Sequence, residues 1–152
     1  MEHLVYCDKK AKVWEKLLSG RKTLIVRGAA GRKLPHSRVF KGEKLYFIEN
    51  DGSGLITGTG VVKNVDNLVK LTDEESRSII AERQKQLQLT EEQIKRWAGK
   101  KCLCLIEVEN VAEISPLKYD RQKNMDDWIT VEDIRTILEG SSENYVALRV
   151  NK

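Results

Sequence analysis

Twelve lysines and arginines fall between residues 9 and 44: Lys9, Lys10, Lys12, Lys16, Arg21, Lys22, Arg27, Arg32, Lys33, Arg38, Lys41 and Lys44. Only Glu15 and Glu43 oppose them, a net +10, whereas the rest of the chain carries −6. Such segregation gives the molecule a positive face, which attracts polyanions and steers their encounter. Lys22 and Arg27 stand out within it. Gly20 allows the chain to reverse from a helix into a strand, so Lys22 and Thr23 fall at the strand's start and Arg27 at its exit. Side chains alternate along a strand, placing Thr23, Ile25 and Arg27 on one face and Leu24 and Val26 on the other. Lys22, at the entrance, leaves that alternation and leans into a cleft. Arg27 offers a planar fork to a phosphate or a base edge. The plainer alternative is a pair of exposed strand ends matched to Glu15 or Glu43.

Other chemistries lack their parts. His3 and His36 have no Ser or Cys partner at a spacing that suggests a triad. Asp126 and Asp127 are adjacent, so in extended chain their carboxylates point apart; they read as a polar turn, with Trp128 plugging the core. Cys7, Cys102 and Cys104 are odd in number and lack CxxC spacing, which argues for small buried hydrophobes rather than disulfides or a metal site. No metal or cofactor is expected. The phosphate-binding glycine patterns of nucleotide hydrolases and dinucleotide folds are missing.

The elements that must position Lys22 and Arg27 follow from periodicity and punctuation. Residues 3–6 read as a short strand. Val13, Trp14, Leu17 and Leu18 recur at helical spacing over 10–19, and Gly20 ends that helix. Thr23–Val26 is a β-branched and apolar strand, followed by a basic loop over 28–38. Residues 43–49 form a strand, Asn50–Gly54 a hairpin turn, and Leu55–Val65 the returning strand. Gly58 and Gly60 inside it mark a bulge, a bend or a close approach. Thr72–Glu75 and Thr90–Gln93 are capping boxes; they open a helix over 73–88 and a shorter one closed by Gly99. The tight pair of helices is a weak match to a DNA-reading helix-turn-helix. Residues 101–108 form a buried strand, Pro116 a turn, Thr130–Asp133 the cap of a last helix to Leu138, and Asn144–Val150 a closing strand.

With 152 residues, 40% hydrophobic and 33% charged, the chain can support one folded domain over 1–152. Ten Gly and two Pro exclude a collagen-like or low-complexity chain. The apolar runs are too short for a transmembrane helix. The start, MEHLVYCDKK, has no apolar signal region, so a cytoplasmic location is expected. Five or six strands with three or four helices imply an α+β fold, a small mostly antiparallel barrel decorated by helices.

The run from Trp14 to Arg27, with Gly20, Lys22 and Arg27 in the spacing GxKxxxxR, resembles the ASCH domain of the PUA-like superfamily. Lys41–Ile48 and the Gly58–Val62 strand continue the resemblance, which covers residues 10–66 and extends to 101–108. It implies a PUA-like barrel with an RNA-facing cleft for RNA or a nucleotide-like ligand. Gly20, Arg21, Lys22, Thr23, Arg27, Arg32, Lys33, His36, Arg38, Lys41 and Lys44 are the candidates to contact it, with Tyr46 the favoured stacking platform. Phe40 is favoured beside Tyr46, Tyr6 is a further aromatic candidate, and Trp14 and Phe47 belong to the core. Some compact ASCH members are amidohydrolases of N4-acetylcytidine, using a lysine, a threonine three residues on and a later glutamate. Lys22 matches the catalytic lysine; Ile25 occupies the threonine position and cannot serve as a nucleophile. Glu74, Glu75 and Glu82 lie in the region of the glutamate. The amidohydrolase is therefore the second reading, and a protein-interaction adaptor using the acidic C-terminal portion the third.

Overall fold

The computed structural model describes residues 1–121 and 126–140. In chain order the elements are β1 (Glu2–Cys7), α1 (Val13–Leu18), β2 (Leu24–Ala29), β3 (Lys44–Glu49), β4 (Leu55–Leu68), α2 (Asp73–Glu82), α3 (Gln84–Leu87), α4 (Glu91–Trp97), β5 (Cys102–Lys118), β6 (Trp128–Val131) and a 3₁₀ turn over Ile134–Ile137. The strands form one curled sheet in the order β2-β5-β4-β3-β1-β6, antiparallel except for β1 against β3. This is the α+β half-barrel that the strand and helix pattern implies.

Alternation along the strands divides the apolar residues into three layers. The concave interior holds Val5, Cys7, Ile25, Leu45, Phe47, Cys104, Ile106 and Trp128, with Trp14 and Leu17 of α1 inserted as a plug. On the outer face Leu24, Val26, Leu103 and Leu105 pack beneath α2–α4. A second outer cluster joins Leu4, Tyr46 and Ile48 to Tyr119, Ile129 and Ile134. The three cysteines are buried core residues.

Gly58 has the close-approach role that a strand glycine signals, because a Cβ there would overlap the Trp14 indole. The β4–β5 register also shifts between Ile56 and Gly58 and between Thr59 and Val61, so bulging and close approach occur together.

Four expectations need correction. The helix over 73–88 is two helices, since Arg83 departs from helical geometry and Gln88 takes a left-handed conformation. Pro116 makes no turn: β5 continues to Lys118, and the proline falls in the bulged stretch where β4 and β5 change register, a place where its missing N–H is tolerated. Thr130 is a β6 residue rather than a cap; Asp133 instead accepts from the Arg135 N–H and caps a single 3₁₀ turn. Trp128 does fill the core, but as the first residue of a strand. The strand expected over 144–150 lies outside the described residues.

Candidate functional site

The two rims of the curled sheet, β2 on one side and β1 with β6 on the other, approach without pairing. β6 is short and its register ends at Val5, so the last residues of β1, Tyr6 and Cys7, present an open rim. The Tyr6 N–H donates to Asp127 O at 3.1 Å, just before β6 begins. The Tyr6 carbonyl accepts from Arg27 Nη2 at 2.9 Å, from the opposite rim. Between these rims lies a hollow of about 280 Å³, walled by Val5–Asp8 and by Ile25–Arg27, and covered by Glu92, Gln93, Arg96 and Trp97 of α4.

Lys22 lies in this hollow because two chain reversals hold it there. Gly20 adopts φ 81°, a left-handed turn that glycine takes readily, and the Lys22 N–H returns to Lys16 O at 3.1 Å. The Lys22 ammonium then donates to Leu87 O at the end of α3, at 2.5 Å. Its side chain is thus only 4% exposed, and among the described residues no carboxylate comes within 4 Å of it. Burial, reinforced by the Arg27 charge, lowers its pKa to about 7. Cys7 shares the hollow, and burial pushes its thiol up to about 12, so it is a protonated wall rather than a nucleophile.

Arg27 spans the seam. Besides Tyr6 O it donates through Nη1 to Val26 O at 3.1 Å, and its guanidinium carbon stands 5.7 Å from the ring centres of both Trp97 and Trp128. Asp127 Oδ2 pairs with Arg27 Nε at 3.6 Å, beyond hydrogen-bond reach, and that buried nitrogen has no hydrogen-bond partner among the described residues. Arg96 approaches the same Asp127 oxygen at 3.3 Å and stacks on Trp97 with 4.4 Å to the ring centre.

Charge inside the hollow is balanced, with Lys22, Arg27 and Arg96 facing Asp8, Glu92 and Asp127. The cleft expected near Lys22 and Arg27 thus carries carboxylates as well as cations, from Asp8 just after β1, Glu92 of α4 and Asp127 before β6. The cationic excess sits next door. A second hollow of about 440 Å³ shares Arg27, Arg96, Trp97 and Asp127 with the first and adds Lys33 and Lys100 against Asp126. A third, on the other side, shares Tyr6, Asn50 and Asp127 and is walled by Tyr119, which meets Tyr6 edge-on at 6.4 Å. The three adjoin through these shared lining residues and together make a trough.

The fold thus brings Lys22, Arg27 and Lys33 of the basic segment into the trough, and Tyr6 of the aromatic candidates. Arg21, Arg32, Arg38 and Lys41 are exposed elsewhere. Thr23 is held by backbone bonds to Gln86 and Val108 and lines none of the three hollows. His36 is buried structurally, its ring bonded to Ser37 Oγ and Leu68 O. Lys44 stands over the Tyr46 ring at 5.0 Å, on the outer face of the sheet and away from the trough. Phe40 is 61% exposed beside Glu43, near the start of β3 rather than the end that meets the trough. Glu43 is taken by the N-terminal amine and by His3, so it pairs with neither Lys22 nor Arg27. Glu74, Glu75 and Glu82 are exposed on α2, and Glu75 closes the capping box; Glu92 is the glutamate that reaches the hollow. Asp127 and the α4 side chains were the parts that spacing did not reveal. The one available signal was the acidic pair before Trp128.

No family model matches the chain, and no curated protein matches it. Among solved structures, the ASCH protein of Zymomonas mobilis is similar at a TM-score of 0.63 with 12% identity, over 97% of this chain and 94% of that one. Two single-substitution variants of the same protein match equally, covering 97% and 95% of their chains. At that identity the likeness is one of fold, and the chain has the ASCH-domain fold.

Proposed function

We propose that this ASCH-fold chain binds single-stranded RNA or a nucleotide-like ligand in the trough, with one nucleoside seated between the β1 and β2 rims. The observation that carries the reading is the pair of incompletely satisfied donors in one hollow. Lys22 has a single carbonyl partner, and Arg27 Nε, though ion-paired with Asp127 at 3.6 Å, makes no hydrogen bond, although buried donors are normally hydrogen-bonded. A ligand acceptor would complete both. About 280 Å³ is near the lower end of the ~300–1,000 Å³ range of small-ligand sites, the scale of a nucleoside rather than a folded polymer. Mixed charge suits a base edge, which offers donors and acceptors together, and the adjoining surplus of Lys33, Arg96 and Lys100 suits the phosphates leading away from it. Tyr6 and Tyr119 supply aromatic surface on the other side.

Fluorescence anisotropy with a labelled single-stranded oligonucleotide, repeated for Lys22→Ala with Arg27→Ala, tests the reading. The double variant should bind more weakly. Affinity that ignores both substitutions and the salt concentration would overturn it. The amidohydrolase reading gains the near-neutral Lys22 amine as a base, but Ile25 lines the hollow where a hydroxyl nucleophile would be needed. Acetate release from N4-acetylcytidine, abolished by Lys22→Ala, would establish it.

A further inference from the structure

An amine becomes a nucleophile toward carbonyl carbon when it is neutral, and a protein neutralises a lysine by desolvating it and placing a second cation nearby. Lys22 meets both conditions by position. Its side chain is buried, its one bond runs to Leu87 O, and Arg27 shares its cavity, while among the described residues no carboxylate of that cavity comes within 4 Å of the amine. Ile25, Val26 and Val5 contribute apolar wall to the same hollow. Cys7, the other nucleophilic atom in the hollow, is held protonated by burial and does not compete. The adjoining hollow shares Arg27 and Arg96 with this one and adds Lys33 and Lys100, a surface that fits a phosphate attached to the reacting molecule.

We infer that Lys22 forms a reversible imine with the open-chain aldehyde of a phosphorylated sugar, either free or at a baseless position in a nucleic-acid strand. The inference rests on the sugar-phosphate orientation proposed above and adds covalent capture to it. The Nζ lone pair attacks the aldehyde carbon, a C–N bond forms, and the carbonyl π pair moves to oxygen, which takes the proton that nitrogen sheds. Solvent protonates the resulting hydroxyl, which leaves as water while the nitrogen lone pair closes the C=N bond. Loss of the remaining N–H proton returns the one that solvent lent. The balance is amine plus aldehyde to imine plus water, with no oxidant or reductant. The near-neutral pKa of Lys22 leaves much of the amine unprotonated at physiological pH, where an ordinary lysine amine is almost wholly protonated.

Borohydride converts such an imine into a stable secondary amine, so the full chain can be trapped and mapped by peptide mass spectrometry. Three probes are used: glyceraldehyde 3-phosphate, unphosphorylated glyceraldehyde, and a single-stranded oligonucleotide with one abasic site. The expected result is Lys22 modified about tenfold more than any exposed lysine, by the phosphorylated aldose or by the strand, each identifying its source. Lys22→Gln should lose that adduct and keep the surface background. Because the adduct is mapped in the unaltered chain, a variant that failed to fold would not affect the answer. An unmodified Lys22 with all three probes, beside modified surface lysines, overturns the proposal. Equal labelling by unphosphorylated glyceraldehyde overturns its phosphate component. Anisotropy of an intact oligonucleotide in the same buffer separates the two readings: binding without trapping removes the imine alone, and aldose trapping without binding removes the nucleic-acid source.

Discussion

Arg27 Nη2 donates to the Tyr6 carbonyl at 2.9 Å, joining two rims of a sheet that otherwise do not pair. The same guanidinium lies against Trp97 of the outer layer and Trp128 of the interior, so one side chain ties three parts of the molecule together. A residue that reads from sequence as a ligand contact is therefore also a structural clamp.

Arg27→Ala should lower stability as well as binding. A hydrogen bond from a charged donor contributes about 1.5–3 kcal/mol, which corresponds to a drop in Tm of several degrees for a chain of this size. Arg27→Lys should recover little of it, because an ammonium cannot span Tyr6 O and Val26 O with a planar fork. Thermal unfolding followed by circular dichroism compares the three proteins. Equal melting of all three would show that the seam needs no clamp.

Much of this arrangement was legible in the residues themselves. The capping boxes at Thr72 and Thr90, the Gly20 stop and the strand alternation around Ile25 are local signals, and each marked its element's start, stop or face, although the helix opened at Thr72 ends at Glu82 rather than continuing to 88. They were enough to bring Lys22 and Arg27 to one hollow. Asp127 was not legible, because its part depends on β6 pairing with β1 and ending its register at Val5, a contact between the two ends of the chain. Tyr46 falls outside the trough for a related reason: alternation puts it on one of two faces, and only the curl of the sheet decides that its face is the one away from the trough. Arg96 and Trp97 follow from a helix that is visible in sequence, but its docking over β2 is not.

Gly58 and Gly20 should respond differently to alanine. At Gly58 a Cβ would overlap the Trp14 indole, the plug of the interior, so Gly58→Ala forces a rearrangement costing about 1–3 kcal/mol or more. At Gly20 nothing lies within 4 Å, and the penalty is only that of a left-handed backbone, about 1–2 kcal/mol. Urea denaturation should place Gly58→Ala below Gly20→Ala. Partial recovery of Gly58→Ala by Trp14→Leu, which frees the space, would confirm the source of the strain.

The buried Lys22 makes stability depend on pH in a defined direction. Its pKa is about 7 when folded and near the ordinary lysine value when unfolded, so between those limits the unfolded chain binds more protons and stability rises with pH. Below pH 7 both states carry the charge and the full cost of burying it is present. Cys7 and Cys104 act oppositely above about pH 9, because burial holds both thiols protonated to about 12 in the folded state while they ionise in the unfolded one. The clean window is thus roughly pH 7–9. Denaturation midpoints should increase across it for the unaltered chain, and Lys22→Met should flatten that increase. A slope unchanged in Lys22→Met would assign it to another group.

The division of charge between the hollows predicts where salt dependence resides. Each phosphate neutralised by a lysine contributes about −0.7 to the slope of log K against log salt for a single strand. Lys33 and Lys100 line the cationic hollow, so replacing either with alanine should weaken oligonucleotide binding similarly across sequences and reduce that slope by about one such increment. Lys44 carries the same charge but stands over Tyr46 on the outer face, and Lys44→Ala should leave both affinity and slope unchanged. Anisotropy titrations between about 50 and 200 mM salt measure all three variants. If Lys44→Ala reduced the slope while Lys33→Ala and Lys100→Ala did not, the strand would lie across the opposite face of the sheet, and the trough between β1 and β2 would not be its path.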